Sequence, residues 1–125
     1  MKKIGQFYRE KILSLPENLR IKRVIPINPN KIKIEKDLFG WKIIMDNEII
    51  ECNSEEEARY IQVFTDIGMD EIFVPKDLEY LKQILPELEE LKRKTEEIIE
   101  MNLDGIRDPR IRAKVRYEVY LEITK

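Results

Sequence analysis

The sequence has no histidine and one cysteine, Cys52, among its 125 residues. Without histidine there is no Ser-His or Cys-His dyad and no imidazole metal ligand, so any metal must be held by oxygen alone. A single cysteine excludes an intramolecular disulfide and a thiolate metal cluster. Cys52 closes an apolar run and reads as a buried, inert thiol. The four glycines, Gly5, Gly40, Gly68 and Gly105, stand far apart, so no glycine-rich loop is available to cradle a phosphate. No apolar run approaches the length of a membrane span. Met1-Lys2-Lys3-Ile4-Gly5-Gln6 carries no apolar leader core, and a cytoplasmic chain is expected. These gaps lead to the expectation of a non-enzymatic protein without a cofactor or a metal.

What the sequence does hold is charge, sorted by position. Charged residues make up 38% of the chain, mostly Lys and Glu, alongside twenty isoleucines and two alanines. That composition resembles proteins of thermophiles, where charge networks raise thermal stability, and a thermophile source is expected; a mesophile with an AT-rich genome is the alternative. Residues 1–42 carry eleven Lys/Arg against four Asp/Glu, residues 43–104 six against eighteen, and residues 105–125 six against three. The net charge of −2 therefore hides two basic ends around an acidic middle. Local charge, not net charge, decides what a surface attracts.

Ile4, Phe7, Tyr8, Ile12 and Leu15 recur at helical spacing before Pro16, which predicts a helix over 3–14. Arg20 to Ile25 alternates like a strand, and Pro26 and Pro29 confine it to an edge or an extended loop. Ile32 and Ile34 alternate with Lys31, Lys33 and Glu35, as in a half-buried strand with a basic outer face. Apolar runs on either side of Asp46-Asn47 predict a hairpin over 38–52. Ser54-Glu55-Glu56-Glu57 is a capping box: the hydroxyl takes a free helix N–H and Glu57 reaches back. Its helix runs through Ala58, Ile61, Val63, Phe64 and Ile67 to Gly68, a natural C-terminal stop. Glu71-Ile72-Phe73-Val74 reads as a short strand ended by Pro75.

From Asp77 the pattern is helical. Leu81, Ile84, Leu88, Leu91, Thr95, Ile98 and Asn102 form a heptad seam that Leu78 and Leu85 widen. Pro86 interrupts it, which predicts a short helix over 77–84, a kink or a break, and a longer helix over 86–103. Asp104-Gly105 ends the second. Asp108-Pro109 starts a last helix with Ile111, Val115, Val119 and Ile123 on one face, and the short connection predicts a helical hairpin. The expected fold is α+β in a single domain, 1–125. A small antiparallel sheet (the hairpin 38–52 plus short strands) packs with helices in residues 1–75, and a C-terminal helical hairpin fills 76–125.

Glu55, Glu56 and Glu57 invite a metal, but helix capping accounts for them. Asp46, Glu48 and Glu51 do not amount to a nuclease site: residue 53 is Asn53 rather than lysine, and Glu48 and Glu51 face opposite sides of a strand. The basic features remain. Arg20, Lys22, Arg23, Lys31 and Lys33 from the N-terminal strands, with Arg110, Arg112 and Arg116 from the last helix, are the candidate nucleic-acid contacts. Lys36 and Lys42 lie near Phe39 and Trp41, and Tyr117 and Tyr120 interleave the last helix. The alternative is a solvated basic surface with Trp41 and the tyrosines in or near the core. The heptad seam likewise packs either inside the chain or against a second copy or a larger protein.

The stretch Ile49-Ile50-Glu51-Cys52-Asn53-Ser54-Glu55-Glu56-Glu57-Ala58-Arg59-Tyr60 resembles a segment of target-recognition regions in adenine-specific DNA methyltransferases of restriction–modification systems. Leu85-Pro86-Glu87-Leu88-Glu89-Glu90-Leu91-Lys92 through Glu96-Glu97-Ile98-Ile99, then Leu103-Asp104-Gly105-Ile106, resembles their helical C-terminal tails. Together these cover under half of the chain. The family's Asn/Asp-Pro-Pro-Tyr/Phe motif and its cofactor-binding glycine motif are absent, so no functional residue carries over. The resemblance implies a detached recognition or accessory module. The expected function is a binding module that contacts DNA or a restriction–modification partner through the basic N-terminal strands and the last helix. The alternative is a protein-interaction or oligomerisation module that uses the 78–102 seam. Expected partners are nucleic acid or a larger protein, with a homodimer as a further candidate, and no membrane.

Overall fold

The structure, a computed structural model, describes residues 3–25, 32–38, 40–45, 48–103 and 109–124, with the side chains at 32, 45, 98–103, 109–112 and 124 outside that description. The Asp46-Asn47 turn, Phe39, Lys31, the two prolines after Ile25 and the Asp104-Gly105 and Asp108 signals lie outside the described residues. The architecture is α+β, as the patterning predicts.

Helix α1 (Ile4–Tyr8) continues into a wider π-turn over Arg9–Leu13 and stops before Pro16. Ile4, Phe7, Tyr8 and Ile12 are all buried, so the predicted apolar face is the one used. A 3₁₀ turn (Glu17–Leu19) leads into β1 (Arg20–Val24). Next come β2 (Ile32–Asp37), β3 (Gly40–Met45) and β4 (Glu48–Cys52). They are followed by α2 (Glu55–Asp66), β5 (Glu71–Pro75), α3 (Leu78–Leu103) and α4 (Pro109–Thr124).

The strands divide into two sheets: an antiparallel pair β1–β5 and a three-stranded antiparallel sheet in the order β2–β3–β4. The register of the larger sheet puts Ile34, Ile43 and Ile50 side by side across three strands. Ile43 is fully buried at the middle of this row. One residue further along, Glu35, Lys42 and Glu51 line up on the opposite face. That is the alternation of a sheet covered on one side only. Helix α2 covers both sheets, touching β2, β3, β4 and β5.

Ser54 caps α2 as its sequence predicts: the Ser54 Oγ accepts from the Glu57 N–H at 3.1 Å. Glu57 reaches back and accepts from the Asn53 N–H at 3.2 Å. Gly68 ends the helix at φ +89°, in the left-handed region that favours glycine.

Helix α3 runs through Pro86 without dividing, which excludes the break and leaves the two segments as one helix. Asp77 caps its start, its Oδ1 accepting from the Glu79 N–H at 2.9 Å. Pro86 cannot donate to the Lys82 carbonyl one turn earlier. Both residues are exposed, so the lost bond falls on the solvent side of the helix, while Leu81, Ile84, Leu85, Leu88 and Leu91 keep the buried face continuous. This half of the seam is filled from within the chain, by α2. Arg59 clamps α2 to α3 through the Glu89 carboxylate, and Lys92 does so through Asp66. Helix α4 follows α3 in sequence, and its principal packing partner is α1. Val119 is buried there, with Val115 and Ile123 partly buried beside it. Gly5 makes the crossing close: a Cβ on it would lie 2.9 Å from the Val119 carbonyl oxygen.

Candidate functional site: the basic strand and the last helix

Strand β1 is short and basic, and among the described residues it pairs with β5 alone. Its register with β5 places Arg20 opposite Pro75, Lys22 opposite Phe73 and Val24 opposite Glu71. The flanking bonds, Lys76 N–H to Leu19 carbonyl and Ile25 N–H to Asp70 carbonyl, fix which positions share ladder bonds. The odd-numbered residues of β1 bond to β5. The backbone groups of Arg20, Lys22 and Val24 point away from it, because antiparallel pairs alternate in this way. Pro75 is tolerated for the same reason: its nitrogen lies on the non-bonded side.

The two margins of this ribbon differ. On β5 the outward groups of Phe73 are satisfied by tyrosines. The Phe73 N–H donates to the Tyr8 hydroxyl oxygen at 2.8 Å, and the Tyr60 hydroxyl donates to the Phe73 carbonyl at 2.7 Å. Burial lifts both phenols above their ordinary pKa, so both stay protonated at neutral pH. On β1 the Arg20 N–H turns back to the Glu17 carbonyl. The Arg20 carbonyl and both groups of Lys22 and Val24 bond no backbone partner among the described residues. Ile21 is 46% exposed and Val24 74%.

The cations named by the sequence are placed as follows. Arg20 lies over the Phe73 ring, 4.7 Å from its centroid, and donates to the Leu13 carbonyl at 2.8 Å. Its buried Nε has no hydrogen-bond partner. Lys22 pairs with Glu71. Arg23 donates to the Glu51 carbonyl at 2.5 Å, and its other terminal nitrogen lies 3.6 Å from Glu57 Oε1. That oxygen is buried and accepts no hydrogen bond, so the contact is ionic. Arg23 thus ties β1 to β4 and to the first turn of α2. Lys33 sits on the other sheet and pairs with Glu35 at 2.6 Å. Arg116 reaches Asp70 at 3.9 Å, beside the C-terminal end of α2, where a cation suits the helix dipole. Lys31 lies outside the described residues, as do the side chains of Arg110 and Arg112.

The two basic ends therefore approach each other at Asp70 and Glu71. The Asp70 carbonyl holds Ile25 after β1, its carboxylate holds Arg116 of α4, and Glu71 holds Lys22. Sequence reading did not anticipate that the chain's own carboxylates engage these cations. Neither helical nor strand spacing links Glu71 to Lys22, since they meet only through the register of β1 with β5.

Tyr117 and Tyr120 are exposed, at 61% and 57%, and Leu121 is exposed at 44%. They lie away from the core, unlike Tyr8 and Tyr60. Cys52 is partly buried, and desolvation, then the nearby Glu57 charge, raises its thiol to about 11. It is a poor nucleophile at neutral pH. No group of three or more His, Cys, Asp or Glu residues poised to hold a metal occurs among the described residues. No helix among them is long and apolar enough to cross a membrane. Comparison with protein-family models, with curated proteins and with solved structures yields no match.

Proposed function

We propose that this chain is a non-enzymatic binding module that takes up an extended segment of a partner protein along the free margin of β1. The observation that carries the reading is the asymmetry of the β1–β5 ribbon. Tyr8 and Tyr60 close its β5 side, while the Lys22 and Val24 backbone groups face outward beside exposed Ile21. A guest strand would gain main-chain hydrogen bonds there, with alternate side chains reading Ile21 and Arg23 on one face and Lys22 and Val24 on the other. Ile21 and Val24, the exposed apolar residues of β1, favour a guest that presents apolar side chains beside them. A second copy of β1 would set like charges opposite each other.

Duplex DNA is the competing partner. It has weaker support, because Lys22, Arg23, Lys33 and Arg116 already face carboxylates of this chain, and phosphate contacts require cations that can release their counterions to solvent.

The test is an NMR titration of the intact chain with a short peptide of alternating valine and glutamate. The expected result is movement and slowed exchange of the Lys22 and Val24 amides. N-methylating alternate peptide residues in one phase should abolish binding, and in the other phase should spare it. Equal effects of the two phases would refute strand addition. Tighter binding to duplex DNA, falling linearly in log affinity with log salt, would replace it with the nucleic-acid reading.

A further inference from the structure

Helix α4 has two apolar faces. Val115, Val119 and Ile123 turn toward α1 and the core. Ala113, Tyr117, Tyr120 and Leu121 follow the spacing i, i+4, i+7, i+8 on the opposite side, and all four are exposed. A helix at the edge of a fold needs only the first stripe. Aromatic residues are enriched where a second surface closes over a first.

The charges on α4 point to the occupant. Its first half carries Arg110, Arg112, Lys114 and Arg116, and its second half carries Glu118 and Glu122; of these, Arg116 and Glu122 face Asp70 and Arg9 of the same chain, so Lys114 and Glu118 are the charges offered outward. That order runs against the helix dipole, which favours acids first and bases last. A neighbouring helix running the other way reverses the relation, laying a basic half beside an acidic half. Lys114 and Glu118 are both exposed and share one flank of the outer stripe, one turn apart. Neither belongs to an ion pair among the described residues. Tyr117 is at the centre of the stripe.

We infer that α4 docks on α4 of a second copy of the chain, antiparallel, about a two-fold axis at Tyr117. In that arrangement Tyr117 meets Tyr117 of the second copy, Ala113 faces Leu121, and Lys114 comes within reach of Glu118 on the same flank. Such an interface is isologous and closed. One helix pair buries less than the ~1,200 Å² of a standard interface, so the association is weak and concentration-dependent. It uses a different surface from β1 and stands or falls independently of the strand-addition reading.

Sedimentation velocity from about 10 µM to about 1 mM, the range for a contact of this size, tests the inference on the full chain. The expected result is a shift from monomer to dimer across that range. Tyr117→Glu should hold the protein monomeric throughout, with its far-UV circular dichroism and melting temperature unchanged because the side chain is exposed. Glu118→Lys should weaken the dimer at least threefold at low salt, and Lys114→Glu combined with it should restore the affinity. A wild-type chain that stays monomeric at the upper concentration overturns the inference. So does a dimer indifferent to Tyr117→Glu, or a stripe that instead proves to be where duplex DNA binds to a monomer.

Discussion

Gly5→Ala should destabilise this protein even though alanine is the better helix former. A Cβ at position 5 would lie 2.7 Å from Glu122 Cβ, 2.9 Å from the Val119 carbonyl oxygen and 3.0 Å from Val119 Cα. Carbon atoms prefer about 3.5–4.0 Å, and two of these three neighbours are backbone, which cannot rotate aside. Helix α4 must therefore withdraw from α1 by roughly half an ångström or more, loosening buried Val119 and its neighbours. Overpacking of this kind costs about 1–3 kcal/mol. Removing the glycine returns up to ~1 kcal/mol of helix propensity, less so near the first turn. The net is a loss of about 1–2 kcal/mol, which lowers the melting temperature of a domain this size by roughly 4–8 °C. Thermal denaturation followed by circular dichroism measures the shift. Hydrogen exchange across 113–123 should show lost protection there before it appears elsewhere. A melting temperature equal to or above wild type would refute the reasoning, because helix propensity alone would then set the sign and the two helices could not approach so closely.

Tyr60→Phe removes the donor to the Phe73 carbonyl and should cost about 1–3 kcal/mol in urea denaturation, the penalty for stranding a partly buried acceptor; no loss would mean water reaches that carbonyl. Pro86→Ala should raise stability by up to ~3 kcal/mol, because α3 runs unbroken through that position and would regain the bond to the Lys82 carbonyl. A neutral or destabilising result would mean that the helix breaks there. Cys52 should react slowly with a thiol reagent at pH 8 in the folded protein and rapidly in denaturant, since burial raises its pKa to about 11. The folded state keeps a proton that the unfolded chain releases from about pH 9, so this group's contribution is intact below that pH and is lost as pH rises toward 11. A Cys52→Ala variant should show a shallower decline over that window.

The local features of this fold were legible in the sequence, and the long-range ones were not. The Ser54 cap, the stop at Gly68, the strands on either side of 46–47 and the buried face from Leu81 to Leu91 all depend on residues within a turn or two of each other. Periodicity and capping chemistry register them directly. Pro86 left a kink and a break both open, because its cost depends on which way the Lys82 carbonyl faces, and only the packed helix, continuous through that position, excludes the break. The division of strands into two sheets follows from β1 pairing with β5 across the whole β2–α2 segment, and no spacing rule reports that choice. The basic residues were found, but their partners were not. Arg23 meets Glu57, and Arg116 meets Asp70, only once the chain has folded. Tyr8 reads as part of the first helix's apolar face and Tyr60 is not marked by any pattern; their hydroxyls reach Phe73 only through the packing of α1 and α2 against β5. The outer stripe of α4 is present in the sequence, where its tyrosines read as core or as nucleic-acid contacts.

The tyrosine hydroxyls on Phe73 also govern how an assembly built on this ribbon could end. Runaway stacking of strands needs each unit to receive a neighbour on one side and template the next on the other. In the β1–β5 ribbon the second requirement is missing, since the Phe73 groups that would template are already spoken for. A guest of the proposed kind, added at β1, would make a three-stranded ribbon that terminates at β5, and growth through this chain would proceed in one direction for one step. The two phenols would then act as a stop, leaving a short and partly apolar strand open to a guest without making it the seed of a filament.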